Sequence, residues 1–153
     1  MLKVIDQDIT AVANGIICHQ VNCKGVMGAG LAKQIRSNFP MAYSEYMRAY
    51  REGRLKLGNV VFVLVNTSPM LIVAHLCGQD RYGRDRMYTD YAALKQCLTI
   101  VYQTVQPQRS LYGTDIPIYV PYNMGCALAG GDWSIVSNLI EVAIPDAIVA
   151  RYG

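Results

Sequence analysis

The chain has 153 residues, 52% hydrophobic and 16% charged, which excludes a disordered chain and fits one compact domain with its own core. Its net charge of +3, from 14 Lys and Arg against 11 Asp and Glu, does not demand nucleic acid and suits a small anionic ligand. The longest apolar runs, residues 60–65 and 71–76, are too short to span a bilayer, so no membrane partner is expected.

The opening MLKVIDQDIT has no long apolar run and does not read as a signal peptide. Residues 2–5 and Gly15–Val21 predict two strands. Residues 30–39 place Leu31, Ala32, Ile35 and Phe39 on one helical stripe, with Lys33 and Arg36 off it. Asn38-Phe39-Pro40 breaks that helix, and residues 41–51 predict another. Residues 60–66 and 71–77, separated by Thr67-Ser68-Pro69, predict an antiparallel pair of strands buried on both faces.

A polar, charged loop follows over residues 78–86. Thr89 or Asp90 caps a long helix with the stripe Leu94, Cys97, Leu98, Val101, Tyr102 and Val105. Residues 117–121 predict a strand, 122–131 a glycine-rich turn, 133–144 a helix capped by Asp132, and 147–150 a last strand. No repeat or linker divides the chain, so one domain over residues 1–153 is expected. Strands that mostly alternate with helices predict an α/β fold, a mixed sheet between helix layers.

Five cysteines, Cys18, Cys23, Cys77, Cys97 and Cys126, form no CxxC pair; without a secretion signal they read as reduced thiols of a cytoplasmic protein. Cys18, His19 and Cys23 lack zinc spacing and His75 reads as core, so neither a metal nor another cofactor is expected. The basic groups Arg48, Arg51, Arg54 and Lys56, and Arg81, Arg84 and Arg86, read as solvated faces and loops without a nucleic-acid motif.

Two strand–loop–helix junctions carry the chemistry: VNCKGVMGAGLAKQI at 21–35 and YNMGCALAGG at 122–131. A helix N-terminus presents unpaired N–H groups and the positive end of its dipole, so it attracts phosphate. Glycines let that backbone approach a ligand without Cβ clashes. Neither loop is GxGxxG with an acid about twenty residues on, nor GxxxxGK[ST], which disfavours an ordinary dinucleotide fold or a P-loop. Two such loops at the carboxyl rim of a sheet predict a pyrophosphate held from opposite sides.

QDIT at 7–10, HQVNCKGVMGAGLA at 19–32 and VPYNMGCALAGGDW at 120–133 resemble the macro domain family over nearly the whole chain. The resemblance is closest to the branch with ADP-ribose-1″-phosphate phosphatases and terminal ADP-ribose protein glycohydrolases. It implies a three-layer α/β/α domain with a central six-stranded mixed sheet. Its partners would be ADP-ribose, ADP-ribose-1″-phosphate or ADP-ribosylated macromolecules, bound by a monomer. Asp8 matches the acid that accepts from the adenine amino group, and Ile9 offers that ring a backbone N–H. Asn22 matches the residue that orients the distal ribose. Gly25, Val26, Met27, Gly28, Ala29 and Gly30 would wrap that ribose and one phosphate. Asn123, Met124, Gly125, Cys126, Ala127, Leu128, Ala129 and Gly130, with Gly131, would clasp the diphosphate from the other side.

The terminal glycohydrolases use a Lys and an Asp where this chain has Gln79 and Ala129, which can neither form a Schiff base nor move protons. A phosphatase cutting ADP-ribose-1″-phosphate to ADP-ribose and phosphate needs an aimed water and a stabilised leaving oxygen. The catalytic candidates are Asn22, His19 as proton carrier, and Asp80 and Asp132 as positioners of water. Each has a plainer alternative: His19 a satisfied strand residue, Asp80 a solvated loop acid, Asp132 a helix cap. Arg81 or Arg84 could meet a terminal phosphate, and Tyr82 or Tyr152 could stack on adenine. Cys126 is either a thiol with its pKa lowered by loop amides or a small packing residue. The expectation is therefore an ADP-ribose-binding phosphatase. The alternatives are a non-catalytic reader and a hydrolase that removes ADP-ribose from protein or nucleic acid.

Overall fold

The computed structural model describes residues 1–112 and 115–152. In chain order the elements are β1 (Lys3–Asp6), a 3-10 turn (Ile9–Ala11), β2 (Gly15–Val21), α1 (Gly30–Asn38), α2 (Pro40–Arg51), β3 (Val60–Thr67), β4 (Met70–Cys77), α3 (Tyr91–Tyr112), β5 (Ile118–Pro121), α4 (Trp133–Ala143) and β6 (Ile148–Arg151). Each strand and helix lies where the hydrophobic pattern predicts it, with ends shifted by a residue. The 3-10 turn is the unpredicted element: Asp8 caps it by accepting from the Thr10 N–H at 2.9 Å. Of the two capping candidates for α3, Asp90 takes the role, its Oδ1 accepting from the Ala93 N–H at 3.0 Å.

The strands form one six-stranded sheet in the order β1-β6-β5-β2-β4-β3. All neighbours are parallel except β3, which runs antiparallel to β4, so the sheet is mixed. The β3–β4 pair departs from the expected burial on both faces. β4 is buried on both faces, but β3 is the outermost strand, and alternate residues such as Leu64 (47% exposed) face outward. Its apolar run reads like that of a central strand because strand order, which puts β3 last in the sheet among the described residues, is not written in the local sequence.

Strand alternation divides the core in two. Ile16 and Cys18 of β2 pack with Leu94, Leu98, Val136 and Ile140 of α3 and α4. Ile17 and Val21 pack on the other face with Ile35, Ala42 and Tyr46 of α1 and α2. The result is three layers, α/β/α. Among the described residues no helix is long and apolar enough to cross a membrane. Because β2, β4 and β5 are parallel, their carboxyl ends meet at one rim, and the loops leaving them face each other.

Candidate functional site

Those loops enclose a cleft of about 510 Å³. His19, Gln20 and Val21 at the end of β2 line its floor. Asn22, Val26, Gly28 and Ala29, with Gly30, Leu31 and Ala32 of α1, form one wall. Pro121, Tyr122, Asn123, Met124 and Gly125, then Ala127, Leu128 and Ala129, form the facing wall. Gln79, Tyr82, Gly83 and Arg84, which follow β4, close one end.

Asn22 shapes the first loop around its own side chain and is only 8% exposed. Its Oδ1 accepts from the Lys24 N–H at 3.0 Å and the Tyr46 hydroxyl at 3.0 Å, while its Nδ2 donates to the Val26 carbonyl at 2.8 Å. That nitrogen has a second N–H to offer.

The glycines of this loop serve different ends. Gly25 has φ +75°, and a Cβ there would lie 2.9 Å from the Tyr50 ring, so the fold itself demands glycine. Gly28 has no such conformation, and a Cβ there would meet nothing nearer than Val26 Cγ1 at 3.9 Å. Only the cleft gains from its bare backbone.

Helix α1 starts against the cleft without a side-chain cap, since its N-cap residue is Ala29. The first-turn N–H groups of Gly30, Leu31 and Ala32 are therefore left for an anion in the cleft. Helix α4 differs: Asp132 Oδ1 accepts from the Ser134 N–H at 2.8 Å and closes that end. Across the cleft, Tyr122 lies edge-on to Trp133 with ring centroids 5.0 Å apart, and the Arg151 guanidinium lies 5.7 Å from the Tyr122 ring.

The profile of the Macro domain family matches residues 18–115, more than half of the chain. The chain belongs to the macro domain family. The fold is similar over its whole length to a protein from Bacteroides thetaiotaomicron, with 25% identity, a TM-score of 0.86, and 100% of each chain covered. It is also similar to the macrodomain of Mycobacterium tuberculosis DarG, with 20% identity, a TM-score of 0.81, and 99% of this chain and 97% of that one covered. Thermosipho africanus DarTG, solved in complex with ADP-ribose, gives 19% identity and a TM-score of 0.76, covering 99% of this chain and 41% of that one. No curated protein matches the sequence.

Within this macro domain the catalytic candidates do not converge as their sequence positions suggested. His19 lines the floor but is 1% exposed, with Nε2 2.7 Å from His75 Nδ1, while His75 Nε2 sits 2.9 Å from the Ala42 carbonyl. A carbonyl only accepts, so His75 donates through Nε2, accepts at Nδ1, and obliges His19 to donate through Nε2. Burial, with a smaller contribution from His75, holds the His19 pKa well below its usual value. Burial likewise lowers His75 to about 4. Burial and the His75 contact favour an uncharged His19 imidazole bonded through Nε2, while its buried Nδ1 has no hydrogen-bond partner among the described residues, so His19 is not the fully satisfied strand residue of the plainer alternative.

Asp80 lies outside the cleft lining, paired with Lys24 at 3.3 Å and more loosely with Arg81 at 3.9 Å. Asp132 is outside it too. The Ser134 hydroxyl and N–H that bond to its carboxylate hold it below the usual carboxylate range, so the cap reading describes it. Burial, helped by Asp132, pushes the Cys126 thiol up to about 11, the reverse of an activated nucleophile. Among the described residues no Asp, Glu or Lys side chain lines the cleft.

The ligand-binding candidates divide similarly. Asn22, Val26, Gly28, Ala29, Gly30, Asn123, Met124, Gly125, Ala127, Leu128 and Ala129 line the cleft. Gly25, Met27, Cys126 and Gly130 do not, and Met27 is core at 1% exposed. Asp8 and Ile9 sit in the 3-10 turn beside β5, off the lining, with Ile9 buried. Tyr82 lines the cleft and Tyr152 does not.

Gln20 and Tyr122 are lining residues that the sequence reading missed. Gln20 donates to Gln79 Oε1 at 2.8 Å and to the Thr89 hydroxyl at 2.9 Å, and Thr89 in turn donates to the Gly125 carbonyl at 2.6 Å. A polar residue near the end of an otherwise apolar strand was the available signal for it.

Proposed function

We propose that this macro domain binds ADP-ribose along the cleft, with the pyrophosphate against backbone amides. The observation that carries this reading is the uncapped N-terminus of α1 beside Gly28, whose missing Cβ the fold does not need, facing the second glycine loop. A pyrophosphate is an anion that accepts from several N–H groups at once, and this wall offers such donors in excess. The roles that the family resemblance gives Asp8 and Asn22 set the proposed orientation. The adenosine lies above β5 and β6, near Tyr122 and the Asp8 turn, and the distal ribose lies above β2 and β4, near Asn22. Thermosipho africanus DarTG, part of which shares this fold, was solved in complex with ADP-ribose, which supports the choice of ligand.

A second reading, hydrolysis of ADP-ribose-1″-phosphate to ADP-ribose and phosphate, is favoured by one feature: the end of the cleft above β4 carries a cation free of carboxylate partners among the described residues, Arg84. Since no carboxylate or Lys lines the cleft among the described residues, such chemistry would rest on a water aimed by amides and on positive charge stabilising the phosphoryl group. Removal of ADP-ribose through a Lys adduct is disfavoured, because Gln79 stands in that place, bonded to Gln20 and to the Arg81 carbonyl at 2.8 Å each. The two readings separate in one assay. Phosphate release from ADP-ribose-1″-phosphate in EDTA shows the phosphatase; ADP-ribose binding with no release shows a reader.

A further inference from the structure

The segment that follows β4 is pinned at both ends. At its start the Cys23 N–H donates to the Asp80 carbonyl at 3.0 Å, and Lys24 pairs with Asp80, tying it to the first glycine loop. At its end the N–H groups of Tyr88 and Thr89 donate to the Ala129 carbonyl at 2.7 and 3.3 Å, tying it to the second. Asp90 N–H closes the base on the Gly78 carbonyl at 2.7 Å. What lies between is a tip set across one end of the cleft, turned by Gly83 at φ +155°.

Three arginines occupy this tip, and their surroundings differ. Arg81 faces Asp80 at 3.9 Å and Arg86 faces Asp85 at 3.6 Å, and neither lines the cleft. Asp85 is further engaged by the Tyr88 hydroxyl at 2.5 Å. Arg84 lines the cleft and, among the described residues, has no ion pair, side-chain hydrogen bond or aromatic ring beneath it. The charge is thus neutralised on both sides and left open at the one position that faces the ligand site. A guanidinium offers a planar fork of donors that matches two oxygens of a phosphoryl group.

The position along the rim says which part of the ligand this fork meets. Asn22 follows β2 and Arg84 follows β4, its neighbour, while Tyr122 and the Asp8 turn lie toward β5. Arg84 therefore lies beyond the distal ribose, past the pyrophosphate wall. We infer that Arg84 is a specificity-determining residue that reads a phosphomonoester carried on the distal ribose and so separates ADP-ribose-1″-phosphate from ADP-ribose. The inference rests on the ADP-ribose reading of the cleft.

The test is calorimetric titration of the parent, Arg84→Gln, Arg84→Lys and Arg81→Gln with ADP-ribose and with ADP-ribose-1″-phosphate; where the phosphate is turned over, the same comparison is read in KM. The parent is expected to prefer the phosphorylated ligand by roughly tenfold, on the scale of a charge-assisted pair. Arg84→Gln should abolish the preference, lowering ADP-ribose-1″-phosphate affinity by clearly more than ADP-ribose affinity. Arg84→Lys should keep part of it, and Arg81→Gln all of it. High salt should shrink the preference in the parent. A parent that binds ADP-ribose but shows no preference, or an Arg84→Gln variant that keeps it, overturns the inference alone. A folded parent that binds neither ligand overturns the ADP-ribose reading as well.

Discussion

Replacing Gly28 with valine separates fold from function more cleanly than any other change in the cleft. A Cβ at this position would touch only Val26 Cγ1, at 3.9 Å, an ordinary van der Waals contact, and the backbone is not in the left-handed region. The variant should fold with a stability within ~1 kcal/mol of the parent, because the conformational freedom lost from the unfolded chain works in its favour. Binding should suffer far more. A phosphate oxygen must come within ~3 Å of a backbone N–H to be held, and the valine side chain stands in that space. Losing one or two charge-assisted bonds at ~1.5–3 kcal/mol each predicts a fall in ADP-ribose affinity of between about tenfold and ten-thousandfold. Gly25→Ala is the matched contrast. There φ is +75° and the new Cβ would sit 2.9 Å from the Tyr50 ring. The strain alone is ~1–3 kcal/mol, or a melting temperature lower by roughly 2–10 °C. Thermal unfolding and calorimetric titration of both variants decide the matter. If Gly28→Val folds normally and binds ADP-ribose as tightly as the parent, the assignment of that wall to the pyrophosphate is refuted.

Asn22→Ala removes the side chain that holds the first loop, through contacts to Lys24, Val26 and Tyr46, so it should lower stability by about 1–3 kcal/mol in denaturant unfolding; any turnover should fall more than binding. Asp8→Ala should weaken ADP-ribose binding by ~1–3 kcal/mol if its carboxylate accepts from adenine, and unchanged affinity in titration would remove that role. Asp132→Ala should cost about 1 kcal/mol of stability through loss of the α4 cap and leave ADP-ribose affinity unaltered, since Asp132 is off the cleft lining. His19 and His75 are held neutral when folded but take up protons near pH ~6.5 when unfolded, so stability should be full above that pH. It should fall as pH drops toward the His75 value of about 4, by about 2 kcal/mol at pH ~5 from His75 alone; a urea midpoint that does not move between pH ~7.5 and ~5 would contradict the buried pair.

Much of the architecture was legible because apolar spacing is a local property. The stripe of Leu31, Ile35 and Phe39 and the alternation along β2 are written into neighbouring residues. The glycine loops were legible for the same reason, as was the choice of rim. The edge position of β3 was not, because it depends on strand order. The cap role of Asp132 was legible, since Ser134 lies two residues on, but the fates of His19 and Asp80 were not, each involving a partner distant in sequence. His19 meets His75 because β2 and β4 pair in register, and Asp80 meets Lys24 because the first glycine loop folds beside the end of β4. Gly25 and Gly28 are the same letter in the sequence, and only the Tyr50 ring, brought up by α2, tells them apart.

The most direct test of the account is a calorimetric titration of the folded chain with ADP-ribose. The account predicts saturable binding at one site, weakened at least about tenfold in Gly28→Val and retained in Asp132→Ala. A folded protein that gives neither heat nor a thermal shift with ADP-ribose would contradict it.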